Sequence, residues 1–195
     1  YDKNSKVKNY PVDMEFFDEA KIREKVKTVI FLGGSQGAVF INDFALKVAS
    51  KLNELNIKII HQTGKTDFDR VLKKYETLGI KADVFDFDKN IAKKMGKADF
   101  AVSRSGASTL WELSANSLPT LFIPYPHAAK DHQFFNAKLL IEKNLCFIQR
   151  ENELTPEYFF DLLKEDIHKM SKGLVNSIQL DGIKSMVDII LDENE

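Results

Sequence analysis

The amino-acid sequence predicts an α/β fold in which a parallel sheet is covered by helices on both faces. Short runs of aliphatic and aromatic residues alternate with longer segments whose apolar residues recur at helical spacing. The first strand-like run ends in a glycine-rich turn that leads directly into a helix-like segment. Repeated β-α units of this kind form a parallel sheet with right-handed crossovers.

The strands and helices of this sheet can be assigned in chain order. The predicted strands are Thr28–Leu32, Ile57–His61, Ala82–Phe87, Asp99–Ser103, Leu118–Pro124 and Leu145–Gln149. The predicted helices are Ala38–Leu55, Asp67–Leu78, Asn90–Met95, Ala107–Asn116, His132–Lys143, Pro156–Lys169 and Ile178–Leu191. Residues 1–27 do not follow the alternation, and we expect an arm or linker there that packs through Met14, Phe16 and Phe17. Residues 28–195 then form one domain.

Composition excludes several classes of protein. The chain has 195 residues, is 44% hydrophobic and carries a formal net charge of −1. A nucleic-acid partner is not expected, because proteins that bind nucleic acids are usually strongly basic. The single Cys146 excludes an internal disulfide. No apolar run approaches the roughly 20 residues that cross a bilayer. Because the sequence begins with Tyr1 rather than Met, we expect a piece of a longer protein.

The strongest local signal is the sequence GGSQG at residues 33–37, between the first strand and the first long helix. Glycines allow a tight turn and a close approach to a ligand, and a helix N-terminus attracts anions. Gly34, Ser35, Gln36 and Gly37 are therefore candidate diphosphate-binding residues. The alternative is a tight β-α turn without a ligand. The spacing does not match the dinucleotide pattern G-x-G-x-x-G, and Gly64-Lys65-Thr66 matches only the end of a P-loop, because position 59 is Ile59 rather than glycine.

A second helix start, RSGAST, follows the fourth strand. Ala107, Ser108 and Thr109 are small enough for a phosphate or sugar to approach the backbone closely. Glu112 lies about one and a half turns into the same helix, where a carboxylate could accept hydrogen bonds from vicinal hydroxyls such as those of a ribose. The alternative for Glu112 is a solvated helix residue.

A third polar loop, PYPHAAKDHQ, follows the fifth strand and places His132 and Gln133 at the start of a helix, where they could bind a sugar. A metal site at His127, Asp131 and His132 is the weaker interpretation, because adjacent side chains diverge at a helix start. The carboxyl ends of parallel strands share one edge, so the three loops should meet in one crevice. They supply hydroxyls, amides and a carboxylate but no nucleophile–base pair, which favours binding of a phosphorylated, hydroxyl-rich ligand.

Taken together, GGSQGA, HQTGK, RSGAST with Glu112, and PYPHAAKDHQ resemble the MurG family of bacterial transferases, most firmly over residues 28 to 150. The resemblance implies the C-terminal, Rossmann-like half of a two-domain GT-B fold, with the N-terminal acceptor domain absent. It also implies an inverting, metal-independent hexosyltransferase without a cofactor. Such an enzyme moves N-acetylglucosamine from UDP-N-acetylglucosamine (UDP-GlcNAc) onto undecaprenyl-pyrophosphoryl-MurNAc-pentapeptide, which converts lipid I to lipid II in peptidoglycan synthesis.

The resemblance also assigns roles to individual positions. Ser35 and its neighbours would bind the diphosphate, Glu112 the ribose and Gln133 the GlcNAc hydroxyls, while Asp88 falls where the family contacts uracil through its main chain. His132 departs from one common form of the motif. Asp13 stands where the family usually has Arg in G-N-P-V-R, and we exclude it from the site because a carboxylate repels a diphosphate.

The general base would belong to the absent domain, so this chain alone would bind UDP-GlcNAc without transferring it. The resemblance further implies a peripheral position on the cytoplasmic face of the bacterial inner membrane, with membrane contact made outside this domain. Two other functions remain open: a related UDP-sugar hydrolase or epimerase, and a non-catalytic nucleotide-sugar-binding domain. A dinucleotide oxidoreductase is disfavoured by the glycine spacing.

Overall fold

The computed structural model describes residues 10–34 and 37–178, which contain six parallel strands in one sheet. The strands are β1 (Thr28–Leu32), β2 (Lys58–Gln62), β3 (Ala82–Phe85), β4 (Phe100–Ser103), β5 (Thr120–Phe122) and β6 (Phe147–Ile148). The α-helices are α1 (Met14–Asp18), α2 (Val39–Glu54), α3 (Phe68–Thr77), α4 (Ile91–Lys97), α5 (Ala107–Ala115), α6 (His132–Glu142), α7 (Pro156–Leu162) and α8 (Ile167–Ser177). The order across the sheet is β3-β2-β1-β4-β5-β6, which confirms the predicted α/β class.

All six predicted strands are present, although most are shorter than expected. The fifth strand begins at Thr120 rather than Leu118, and Pro119 immediately precedes it. The Pro119 carbonyl accepts a hydrogen bond from the Ala101 N–H, but a proline has no N–H of its own to donate to the ladder. The regular pairing therefore starts one residue later.

The predicted helix Pro156–Lys169 was wrong, because the structure divides this segment into α7 and α8. The chain turns after Leu162, and Asp166 begins a second helix by accepting a hydrogen bond from the Lys169 N–H at 3.3 Å. Asp166 is therefore an N-cap, which the apolar spacing alone did not reveal. The predicted closing helix Ile178–Leu191 lies outside the described residues apart from Ile178.

The sheet is buried on both faces, which explains why β1 reads as an unbroken apolar run. Val29 and Phe31 point into a cluster formed with α2, α3 and α7. Ile30 and Leu32 point into a second cluster formed with α4, α5, α6 and α8. Helices thus cover both faces, as expected. No helix within residues 10–34 and 37–178 is both long enough and apolar enough to cross a membrane.

The arm packs on the second cluster where the structure describes it, at residues 10–27. Phe16 is only 4% exposed, and Phe17 packs against the same cluster. Met14 is 57% exposed, so its predicted packing was wrong, because α1 is one short turn whose buried side faces α4 and α5. The Asn116 side chain donates a hydrogen bond to the Phe16 carbonyl at 3.1 Å.

Arg23 anchors the arm and is 1% exposed. Its guanidinium donates to the carbonyls of Met95 and Ala98 at 3.2 Å each, and to Asn116 Oδ1 at 2.6 Å. These acceptors lie at the C-terminal ends of α4 and α5, where a helix favours a positive charge. Burial lowers the pKa of Arg23 to about 10, so the side chain stays charged at neutral pH.

Arg23→Ala should lower the free energy of unfolding by about 3 kcal/mol, because several buried oxygens lose their donor together. Urea denaturation of the 195-residue chain measures the change. The matched control is Lys164→Ala, whose ion pair with Asp161 is exposed, and its effect should stay below about 0.5 kcal/mol. Equal effects of the two substitutions would contradict the anchoring role of Arg23.

Candidate functional site

The candidate site lies where the strand order reverses, at the carboxyl ends of the neighbouring strands β1 and β4. The chain leaves β1 toward one face of the sheet and β4 toward the other, which opens a crevice between the two loops. Helix α2 starts after β1 and helix α5 starts after β4. The sheet topology thus brings the first two predicted loops together.

The glycine turn after β1 approaches the end of β2 very closely. Gly34 and Gly37 have φ angles of 73° and 82°, a conformation that favours glycine. A Cβ atom on Gly37 would lie 2.8 Å from the Thr63 carbonyl oxygen, so a larger residue would push the two loops apart. The predicted residues Ser35 and Gln36 lie outside the described residues.

Helices α2 and α5 both start without a side-chain cap. Their N-cap residues are Ala38 and Gly106, and neither helix has an acidic residue in its first turn. The first N–H groups of a helix have no partner within the helix, and they carry partial positive charge. Two helix N-termini at one sheet edge therefore offer donors to an anion.

The first cleft of the site has a volume of about 340 Å³ and lies between the glycine turn, α5 and the loop after β3. Phe87, Ile91 and Met95 supply apolar surface, while Asp88 and Glu112 supply carboxylates. Four predicted site residues line it: Gly34, Asp88, Thr109 and Glu112. The cleft thus has an apolar part and a polar part, as a nucleoside requires.

Glu112 has an unusual electrostatic environment for a helix residue. Burial raises its pKa above the ordinary value, and the negative charges of Asp13 and Glu15 on the arm raise it further. Asp88 is held differently, since its Oδ1 accepts a hydrogen bond from the Asn90 N–H at 2.8 Å. The arm therefore acts on the first cleft through charge.

The second cleft has a volume of about 490 Å³ and extends from the start of α2 to the loop after β5. Two predicted residues, Gly37 and Gln133, line it together with Tyr125 and His127. Gln133 Oε1 accepts a hydrogen bond from the Tyr125 N–H at 2.9 Å, which fixes the orientation of the amide. The amide NH2 group is then the part of Gln133 that a ligand can use.

Three other predicted residues, Ala107, Ser108 and His132, line neither cleft. The Ser108 hydroxyl lies 3.2 Å from the hydroxyl of Tyr10 on the arm. His132 is exposed, and its Nδ1–H donates to the Ala129 carbonyl at 3.0 Å. These residues lie at the starts of α5 and α6, beside the clefts rather than inside them.

The structure gathers no metal ligands at the third loop. Within the described part of the chain, no group of three or more His, Cys, Asp or Glu side chains is arranged to hold a metal. Asp131 forms an ion pair with Arg150 at 2.6 Å instead of joining His127 and His132. The weaker interpretation of this loop therefore finds no support in the geometry.

Sequence reasoning missed Arg104, which lines both clefts. Its guanidinium donates to the Ile123 carbonyl at 3.0 Å and forms an ion pair with Glu151, which lines the second cleft. The available signal was a charged residue directly after a buried strand. RSGAST was interpreted only through its small residues, so the arginine at its start received no role.

His61 forms the centre of a buried hydrogen-bond network beneath the glycine turn. Asn42 donates both amide hydrogens, to the Thr63 carbonyl at 3.0 Å and to Asp67 Oδ2 at 2.7 Å. Asn42 Oδ1 must therefore accept the His61 Nε2–H at 3.0 Å, and His61 Nδ1 accepts the Tyr75 hydroxyl at 3.0 Å. Both ring nitrogens are satisfied in the neutral form, and burial lowers the pKa of His61 to about 3.

The network holds the two loops that meet at the glycine turn. Asn42 belongs to α2, whereas Thr63 follows β2. A Cβ atom on Gly33 would lie 3.2 Å from Asn42 Oδ1, so the amide sits directly against the turn. His61 thus has a structural role here.

Comparison with known proteins places these observations in a family. Residues 28–189 match the family model described as the glycosyltransferase family 28 C-terminal domain. A relative from Sulfurovum sp. (strain NBC37-1) is 50% identical over 97% of this chain and 56% of its own length. A relative from Campylobacter jejuni (strain 81-176) is 53% identical over 95% of this chain and 54% of its own length.

Both relatives carry the name UDP-N-acetylglucosamine--N-acetylmuramyl-(pentapeptide) pyrophosphoryl-undecaprenol N-acetylglucosamine transferase. The chain spans about half the length of these curated relatives. Among solved structures, MurG from Acinetobacter baumannii superposes with a TM-score of 0.76 at 25% identity, over 94% of this chain and 59% of that one. The predicted resemblance is confirmed by these matches.

His61 should make stability depend on pH. In the unfolded chain this histidine has an ordinary pKa of 6.5, whereas the folded value is about 3. The unfolded state therefore binds an extra proton between these values, and the free energy of unfolding falls as the pH drops below 6.5. His61 contributes a slope of up to about 1.4 kcal/mol per pH unit.

Urea denaturation between about pH 7 and about pH 5 tests this dependence. His61→Gln should lower stability at neutral pH and lack the contribution of His61 to the slope. His168→Gln, on the exposed side of α8, should keep the slope of the unmodified chain. An unchanged slope in His61→Gln would show that another group is responsible.

Proposed function

The chain belongs to the glycosyltransferase family 28 C-terminal domain family, and from this premise we propose that it is the donor-binding half of an inverting transferase. The donor is UDP-GlcNAc, and the acceptor is undecaprenyl-pyrophosphoryl-MurNAc-pentapeptide. The names of the relatives support this choice of donor and acceptor. Residues 28–195 form the donor domain, residues 1–27 lead into it, and an N-terminal domain of the complete enzyme binds the acceptor.

One observation carries the proposal: the uncapped starts of α2 and α5 meet at the edge of the sheet, with Glu112 one and a half turns into α5. Two sets of free N–H groups suit a diphosphate, and the carboxylate beside them suits the ribose of the same nucleotide. Uracil then occupies the apolar part of the first cleft near Phe87 and Ile91, next to the main chain of Asp88.

The second cleft then receives the sugar. Gln133 lines it with a fixed amide, and an amide NH2 group donates to sugar hydroxyls. His132, Ala107, Ser108 and Thr109 lie at the starts of α6 and α5, where they border the phosphate and sugar positions. We assign to the turn residues Gly34, Ser35, Gln36 and Gly37 the binding of the diphosphate.

The reaction breaks the bond between C1 of the sugar and the β-phosphate oxygen, and UDP leaves with additional negative charge. Donors fixed before the reaction stabilise that charge more strongly than water does, because they need no reorganisation. The helix N-termini and the Ser35 hydroxyl have this role. A metal ion or a cofactor has no part in the proposed mechanism.

The acceptor hydroxyl needs a general base, and attack from the face opposite to UDP inverts the anomeric carbon. That base and the lipid-linked acceptor belong to the N-terminal half of the enzyme. The complete enzyme then works at the cytoplasmic face of the inner membrane as a peripheral protein, and it contacts the membrane outside this domain. Nucleic acid is not a partner, in keeping with the net charge of −1.

Calorimetry of the chain with UDP-GlcNAc tests donor binding. Glu112→Ala should weaken binding by about tenfold or more, because hydrogen bonds from the ribose to a charged acceptor are lost. Ser35→Ala should also weaken binding, because the hydroxyl assigned to the diphosphate is lost. Glu76→Ala, on the exposed side of α3, is the matched control and should leave the affinity unchanged. Absence of binding by the folded chain and by the complete enzyme would refute the assignment.

Product analysis tests the reaction itself. The complete enzyme should convert the lipid-linked acceptor and UDP-GlcNAc to the disaccharide lipid and UDP, whereas the 195-residue chain alone should form no product. Free N-acetylglucosamine or an epimer as the main product would instead identify a hydrolase or an epimerase. Binding without any turnover by the complete protein would identify a sensor.

A further inference from the structure

The two clefts contain one strongly cationic side chain among the described residues that line them, and this is Arg104. It lines both clefts, at the place where the nucleoside part and the sugar part of a bound donor would be joined by the diphosphate. An arginine fork matches phosphate oxygens bidentately. Its position alone therefore makes Arg104 a candidate partner of the diphosphate.

The guanidinium is held firmly by the groups around it. Nη1 donates to the carbonyls of Ile123 at 3.0 Å and Pro124 at 3.3 Å. The ring of Tyr125 lies 5.5 Å from the guanidinium carbon, and the ring of Phe40 lies 5.9 Å away. These neutral groups fix the plane of the guanidinium but leave its charge to be balanced by another group.

Glu151 balances that charge. Arg104 Nη2 donates to Glu151 Oε1, and the two side chains are only 16% and 23% exposed. A charge pair with so little exposure is weakly screened by solvent and salt. Glu151 lies in a turn after β6, 47 residues from Arg104, and no other hydrogen-bond donor contacts its carboxylate in the described part of the chain. The carboxylate can therefore leave without breaking a second interaction.

A carboxylate and a diphosphate cannot both occupy this position at low cost, since like charges in a shared site repel. The diphosphate carries more negative charge than the carboxylate and can also use the N–H groups at the starts of α2 and α5. A diphosphate that enters the clefts therefore competes with Glu151 for Arg104. The N–H groups at the two helix starts bind the diphosphate in addition, which favours it in this competition.

We propose that Glu151 is the internal counter-ion of Arg104 until a nucleotide binds, and that the diphosphate of the donor then displaces it. The inference rests on the proposed function, because it requires a nucleoside diphosphate as the ligand. Glu151 lowers the affinity of the site for the diphosphate, while it keeps the guanidinium satisfied and correctly oriented when no nucleotide is bound.

Calorimetry of the 195-residue chain with UDP tests the proposal. Glu151→Gln keeps the size and hydrogen-bonding capacity of the side chain but removes its charge, so UDP should bind about fivefold more tightly. Uridine has no phosphate and should bind both proteins equally in competition titrations. Glu153→Gln removes a charge from the same turn, at a residue that lines neither cleft, and it should leave the affinity for UDP unchanged.

Arg104→Gln should have the opposite effect. It should weaken the binding of UDP by about tenfold or more while leaving the binding of uridine unaffected. Circular dichroism spectra and urea denaturation midpoints that match those of the unmodified chain establish that each variant is folded. Unchanged or weaker UDP binding by folded Glu151→Gln would overturn the counter-ion role, as would an equal change for uridine. If the unmodified chain and the complete enzyme bind no UDP, the proposed function fails as well. If UDP binds but its affinity is the same for the unmodified chain and for Glu151→Gln, this inference alone is refuted.

Discussion

The reversal of strand order between β1 and β4 is the constraint on which the rest of the site depends. Because β1 has β2 on one side and β4 on the other, the chains that leave β1 and β4 diverge to opposite faces of the sheet. Their helices then begin side by side with uncapped N-termini. Any sequence with this topology has a crevice here, but only some sequences make it fit a diphosphate. Here, glycine at positions 34 and 37 and the absence of acidic residues in both first turns are the features that suit the diphosphate of the proposed donor.

The close approach of the glycine turn to β2 has to be maintained by groups beneath it. The network of His61, Asn42 and Asp67 does this with polar groups that are each satisfied, and full satisfaction is what makes buried polar groups compatible with stability. An apolar replacement of His61 would fill the space but would leave Asn42 Oδ1 without a donor. The network therefore links the geometry of the turn to the stability of the core, and the neutral state of His61 is a condition for both.

The sequence supported the prediction of much that depends on local pattern. Strand periodicity, the GGSQG turn and the placement of Glu112 on α5 all follow from residues close together in the chain. Contacts between distant residues were not accessible. Arg104 contacts Glu151, which lies 47 residues away in the chain, and Arg23 contacts Asn116, which lies 93 residues away. No local pattern identifies these partners. The division of Pro156–Lys169 was missed for a different reason. Asp166 caps a new helix, but the spacing of the apolar residues continues across the break.

The charges around the clefts explain how such a site can hold an anion without being basic. Asp88 and Glu112 line the first cleft, and burial, together with the charges of Asp13 and Glu15 on the arm, raises the pKa of Glu112. Arg104 is already paired. Counted as whole charges, the site is acidic, so it cannot attract a diphosphate through its net charge. Attraction must come from the partial charges of the two helix starts, which act over only a turn, and from Arg104 once the diphosphate displaces Glu151. Because this attraction is short-ranged, it increases the affinity for a ligand whose anionic group is placed correctly between a base and a sugar. It adds little to the affinity for a free anion. Under the proposed function, selectivity for a sugar nucleotide then follows from the weak long-range field of the site.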